Sequence, residues 1–195
     1  MVYPSHPDLT DLIVRLAREL RARQLPFMLI GGQAVLLHGE PRLTQDIDVT
    51  LGAGPDRLSD TLAVCHAAAL EPLVSNIESF VRETFVLPAA DPVTGIRVDL
   101  IFSTTPYEAQ AIGHALLINL AGEAIPFATA EDLILHKLFA GRARDLEDVS
   151  GIIQRQSTTL DWDYIQTWAL EFSAVPGREA MVDTLEALRR QARRA

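Results

Sequence analysis

FMLIGGQAVLLHGEPRLTQDIDVTL, residues 27–51, sets an apolar tetrad, a glycine pair, a second apolar stretch and an alternating run with two aspartates in one order. Phe27-Met28-Leu29-Ile30 is short, continuous and apolar, as a buried strand is. Gly31-Gly32 ends it, Ala34 to Leu37 supplies a helix of about two turns, and His38-Gly39 followed by Pro41 stops that helix. Gln45 to Leu51 alternates in the manner of a half-buried strand. Successive strand residues face opposite ways, so Asp46 and Asp48 share one face. Downstream, Thr84 to Leu87 and Ile96 to Phe102 flank the turn-rich Asp91-Pro92-Val93-Thr94-Gly95 and read as a hairpin, which puts Asp99 on a strand. On a neighbouring strand, Asp99 would lie about 5 Å across from the pair. Each like-charged pair at that spacing costs roughly 3 kcal/mol at an effective dielectric of about 20, so converging carboxylates need a cation, a proton or a cationic side chain. An all-oxygen ligand set favours Mg²⁺ or Mn²⁺ over zinc.

Outward from this stretch, Leu9, Leu12, Ile13, Leu16 and Leu20 recur at helical spacing between Pro7 and Pro26, giving an amphipathic first helix. A further helix is expected after Gly54-Pro55, with Leu58, Leu62, Val64, Cys65 and Leu70 on its apolar side. Past the hairpin come a helical stretch near Tyr107 to Ile112 and two short apolar segments, Leu116 to Leu120 and Ile125 to Phe127. Thr129-x-x-Asp132 is a capping-box variant that opens a helix bearing Leu133, Ile134, Lys137 and Leu138. Helices over about Asp145 to Gln154, Trp162 to Phe172 and Glu179 to Arg190 follow, the last two separated by Pro176-Gly177. The pattern predicts an α/β catalytic half, residues 1–128, and a helical half, residues 129–195, that closes over it.

The chain of 195 residues is 48% apolar and long enough to bury a core of its own. A formal charge of −9 argues against a broad phosphate-binding surface, since non-specific nucleic-acid affinity comes from clustered Lys and Arg. Two local basic groups stand out, Arg142 with Arg144 and the C-terminal Arg189, Arg190, Arg193 and Arg194, the second of which complements a helix dipole. The single cysteine, Cys65, reads as core packing, and with no charged-then-apolar leader it points to the cytoplasm. No apolar run is long enough for a bilayer, so a soluble protein without a membrane partner is expected.

Glycines after a strand let backbone amides approach a phosphate, and the helix N-terminus that follows favours its charge. Together with Asp46, Asp48 and Asp99 they suit phosphoryl chemistry, in which two cations stabilise the attacking and leaving oxygens. In Gly31-Gly32-Gln33-Ala34, His38-Gly39, Arg42-Leu43-Thr44-Gln45-Asp46-Ile47-Asp48-Val49 and Arg97-Val98-Asp99 the chain resembles the nucleotidyltransferase superfamily that includes DNA polymerase beta. Glu131-Asp132-Leu133, Lys137 and Arg144-Asp145-Leu146-Glu147-Asp148-Val149 make it most similar to bacterial AbiEii-like toxin nucleotidyltransferases. The resemblance implies an α/β (α+β) fold, a mixed sheet flanked by helices with a C-terminal helical part. It implies transfer of a nucleoside monophosphate from an NTP such as ATP to a hydroxyl acceptor, which could be tRNA, a protein or a small molecule, and a cognate antitoxin as partner.

By the same resemblance, Asp46 and Asp48 would bind two Mg²⁺ ions, with Mn²⁺ as a substitute, and Asp99 would bind one and help deprotonate the acceptor. Gly31 and Gly32 would contact the β- and γ-phosphates, Lys137 would reach the triphosphate, and Asp145 would belong to the nucleotide site. Many superfamily members carry a serine after the first glycine, a hydroxyl that Gly32 lacks. His38 is expected to pack or cap its helix, and Arg42 and Thr44 to orient the loop before the aspartate strand. Two other readings compete: a non-catalytic nucleotidyltransferase-like interaction module, and a metal-dependent nuclease that would leave the glycine turn and Lys137 unexplained.

Overall fold

The computed structural model describes residues 7–41, 44 and 46–192, so Arg42, Leu43, Gln45, Arg193 and Arg194 lie outside the described residues. The strands are β1 (Phe27–Ile30), β2 (Asp46–Leu51), β3 (Glu71–Pro72), β4 (Val86–Ala90), β5 (Arg97–Phe102), β6 (Leu116–Leu120) and β7 (Glu123–Phe127). The helices are α1 (Pro7–Ala22), α2 (Gly31–His38), α3 (Leu58–Ala67), α4 (Ile77–Thr84), α5 (Pro106–Gly113), α6 (Ala130–Ala140), α7 (Ala143–Gln156), α8 (Trp162–Ser173) and α9 (Met181–Ala192). The chain divides into two compact units, residues 1–33 with 43–128, and residues 34–42 with 129–195. The grouping of residues 34–42 with the helical unit is not visible in the sequence pattern.

The first unit is built on a mixed sheet in the order β3-β4-β5-β2-β1-β7-β6. β2 runs parallel to β5 and β1 parallel to β7, while the remaining neighbours are antiparallel. The register sorts side chains by face. Ile47, Val49 and Leu51 stand beside Val98, Leu100 and Phe102, all buried, while Asp46, Asp48 and Thr50 stand beside Arg97, Asp99 and Ile101 on the opposite face. α1 buries Leu9, Leu12, Ile13, Leu16 and Leu20 and packs on α3 and β7. Asp91 holds the hairpin loop, accepting from the Val93 and Thr94 amides at 2.8 and 3.2 Å while pairing with Arg15 at 2.9 Å. No described helix is long and apolar enough to cross a membrane.

Several boundaries differ from the sequence expectation. α2 starts at Gly31 rather than near Ala34, because Gly31 itself makes the reversal from strand to helix with φ +61°. Leu70 lies beyond the end of α3. The strand expected from Thr84 starts at Val86, since Thr84 closes α4 and Phe85 takes a left-handed cap at φ 57°. α4 and β3 were not foreseen.

In the second unit, Thr129 caps α6, its Oγ1 accepting from the Asp132 amide at 3.1 Å and its hydroxyl donating to the Asp132 carboxylate at 2.8 Å. The Gln156 amide donates to the His38 carbonyl at 3.0 Å and lies 3.2 Å from its Nδ1, so buried His38 anchors the end of α2 to α7. The Arg155 guanidinium donates to the Gly39 carbonyl at 2.8 Å. The basic end of α9 is only partly solvated, because Arg189 lies over the Trp162 ring, 4.1 Å from its centroid.

Candidate active site

Every element of the carboxylate face is set by strand periodicity. Asp48 on β2 is the Cα partner of Asp99 on β5, and Asp46 is the partner of Arg97. On its other side Asp48 is the partner of Ile30, the last residue of β1 before the glycine pair. The burial alternation along β2 and β5 follows, with exposed or half-buried residues at 46, 48, 97, 99 and 101 and buried ones between them.

The glycine turn abuts this face directly. A Cβ at Gly31 would fall inside the Asp48 carboxylate, 2.6 Å from its Cγ, and φ there is +61°. Only glycine meets both the backbone angle and the close approach. A Cβ at Gly32 would collide with the Thr44 side chain, 2.9 Å from the Thr44 Cβ and nearer still to its hydroxyl. Thr44 therefore brings a hydroxyl to the turn that Gly32 itself cannot provide. The Gln33 amide, fully buried, donates to the Asp46 carbonyl at 3.0 Å and ties the start of α2 to the start of β2.

The three aspartates share a face, but their side chains do not gather as expected. Among the described residues no three His, Cys, Asp or Glu side chains form a group that could hold a metal ion. Asp46 is exposed, Asp48 packs against the glycine turn, and Asp99 leans toward Arg97, whose Nη2 lies 3.7 Å from its Oδ1. Mutual repulsion of the carboxylates favours such separate settings. Burial raises the Asp99 carboxyl above its ordinary value; Arg97 opposes this rise and Asp46 adds to it. Asp99 Oδ1 is buried without a hydrogen-bond partner, the condition of a carboxylate oxygen suited to a cation. Together with the hard oxygen donors at 46 and 48, it makes the donor set chemically fit for Mg²⁺ or Mn²⁺.

Two further residues border this face. Thr50, fully buried and two positions beyond Asp48, donates to Glu108 Oε2 at 3.2 Å, and Glu108 sits in the first turn of α5, capped by Thr105. Neither carries a local motif that would have marked it. Arg97 was part of the quoted motif but had no role there.

Lys137 and Asp145 lie in the helical unit and bind one another. Lys137, 7% exposed, places Nζ 2.8 Å from Asp145 Oδ1 and 2.9 Å from Asp148 Oδ2. Arg142 Nε reaches Asp145 Oδ2 at 2.6 Å. Burial alone would raise the Asp145 carboxyl, but Arg142 and Lys137 outweigh it and hold the group below its ordinary value. Asp148, which no expectation singled out, completes this ion cluster.

The solved structure of an antigenic nucleotidyltransferase-like protein from Paracoccidioides brasiliensis is 17% identical, with 93% of this chain and 95% of that chain covered and a TM-score of 0.52. The crystal structure of ANT(2")-Ia in complex with adenylyl-2"-tobramycin is also 17% identical, covering 93% of this chain and 97% of that one at a TM-score of 0.51. These likenesses establish a shared nucleotidyltransferase fold. No curated protein matches the chain by sequence. The family model described as nucleotidyl transferase AbiEii toxin, type IV toxin–antitoxin system, matches residues 15–194. Nucleotidyltransferases of this kind generally use divalent metals. The strand, glycine turn and aspartate face thus sit in a chain that is a nucleotidyltransferase and belongs to the AbiEii toxin family.

Proposed function

We propose that the protein transfers a nucleoside monophosphate from an NTP to a hydroxyl acceptor, with Asp46, Asp48 and Asp99 holding two Mg²⁺ ions, or Mn²⁺ in their place. The observation that carries this reading is the abutment of the Gly31 turn on the Asp48 carboxylate, which stands beside Asp99 in register. When bound, the ions would neutralise the triphosphate and the charge that develops in its displacement. Gly31 and Gly32 present backbone without side chains to the β- and γ-phosphates, and Thr44 adds a hydroxyl beside Gly32. The acceptor oxygen attacks the α-phosphorus, the bond to the bridging oxygen breaks, and pyrophosphate leaves. Asp99, with its carboxyl raised by burial, takes the acceptor proton. In the helical unit, Lys137 and Asp145, held by their own ion pair, are the residues proposed to bind nucleotide.

The acceptor belongs to the class of tRNA ends, protein hydroxyls or small hydroxylated compounds, and in a toxin–antitoxin setting a cognate antitoxin is the natural partner. Incubating the protein with radiolabelled NTPs and total cellular extract identifies which pool takes label. Asp48→Asn should abolish that labelling, with at least about a thousandfold loss of kcat, while the circular dichroism spectrum stays unchanged. Undiminished transfer by this variant would reject the assignment.

A further inference from the structure

Among the described residues, Arg97 is the one cation that the register places beside the three aspartates. It stands directly across from Asp46 and two residues before Asp99 on the same face of β5. Its side chain is 55% exposed, so the guanidinium has solvent on one side and the Asp99 carboxylate on the other. The 3.7 Å separation from Asp99 Oδ1 exceeds a hydrogen bond, and that oxygen has no other hydrogen-bond partner. A structural Arg–carboxylate pair is short and usually bidentate. This one is a loose tether that leaves the Asp99 lone pairs available.

We propose that Arg97 is a built-in counter-cation of the carboxylate face, a positioning residue that restrains Asp99 in metal-free protein and must give way when a divalent ion binds. This rests on the reading of Asp46, Asp48 and Asp99 as metal ligands. Arg97 competes with the ion for the same oxygens, and its repulsion weakens ion binding. The site thereby demands a higher divalent-ion concentration than its carboxylates alone would need. A divalent charge outcompetes the single charge of Arg97 once that concentration is reached, and the long side chain then withdraws to solvent.

The test is a Mn²⁺ titration of the full chain without nucleotide, followed by the electron paramagnetic resonance signal of free Mn²⁺. Arg97→Gln should bind Mn²⁺ roughly threefold to tenfold more tightly than the wild type, as expected when an exposed like charge beside a divalent site is removed. Arg97→Lys, which keeps the charge, should stay within about twofold of the wild type. A second readout is the melting temperature without metal, which Arg97→Gln should lower because three carboxylates lose their counter-charge. Equal or weaker binding by Arg97→Gln overturns the proposal while leaving the metal site intact. Asp48→Asn serves as the control on that site: if it binds as well as the wild type, or if the wild type binds no Mn²⁺, the metal-ligand reading fails and this inference with it.

Discussion

Gly31 shows how much a single position can carry. Its φ of +61° turns the chain from β1 into α2, and the space a side chain would take belongs to the Asp48 carboxylate. Alanine at a left-handed angle costs roughly 1–2 kcal/mol, and its methyl group would also displace Asp48 from the face it shares with Asp99. Gly31→Ala should therefore lower stability by about that amount and kcat/KM by about a hundredfold, the penalty of misplacing a reacting group by about 1 Å. Steady-state nucleotidyl transfer with a matched denaturation curve measures both. A variant destabilised as expected yet fully active would show that Asp48 need not hold its position. The sequence made the aspartates and glycines visible because period-two alternation and strand-to-turn punctuation are local signals. Arg97, Thr44 and Glu108 were less legible, since their significance comes from register, from a side chain filling a missing Cβ and from a helix laid beside Thr50. None of those is a spacing along the chain.

Among the elements, α6 and α7 were found in the sequence because Thr129 and Asp132 form a capping signal and the apolar positions follow the helical period. α4 escaped because it is eight residues long and no glycine or proline separates it from β4; the break is made instead by Phe85 in a left-handed conformation. What no helical period could reveal is the ion cluster that joins α6 to α7. Lys137 is buried against Asp145 and Asp148, so removing it strands carboxylates in an apolar setting. Lys137→Met should cost about 3 kcal/mol at pH 7, or roughly 6–12 °C in melting temperature for a chain of this size. The sign of the pH dependence follows from Asp145. Its carboxyl is held below the ordinary value of 3.8, so the stability it contributes is present above that value and lost as pH falls through the lower folded one. In Lys137→Met that group has lost one of its two cations and protonates more readily. The gap between variant and wild type should thus narrow below about pH 4, as thermal melts across an acid series would register. A gap that stays constant down to pH 3 would mean that packing of the lysine stem, and not its charge, is what the helices use.

The composition of the whole molecule suits the divalent-metal site proposed above. Its formal charge is −9, and the acidic face of the first unit concentrates part of that excess at Asp46, Asp48 and Asp99. An ion that binds the folded chain and not the unfolded one stabilises it by about 2.7 kcal/mol at a hundred times its dissociation constant. In a chain of this size that corresponds to a rise of about 5–10 °C in melting temperature. Wild-type protein should show this rise with Mg²⁺ or Mn²⁺, and Asp48→Asn should lose most of it. Surface charge alone would also respond to added salt, but over a Debye length of about 10 Å and without regard to ion identity. Potassium chloride at matched ionic strength is therefore the proper reference, and differential scanning fluorimetry can read all three conditions. A rise that KCl reproduces, or that survives in Asp48→Asn, would trace the stabilisation to general screening of an acidic surface and remove the three aspartates from the account.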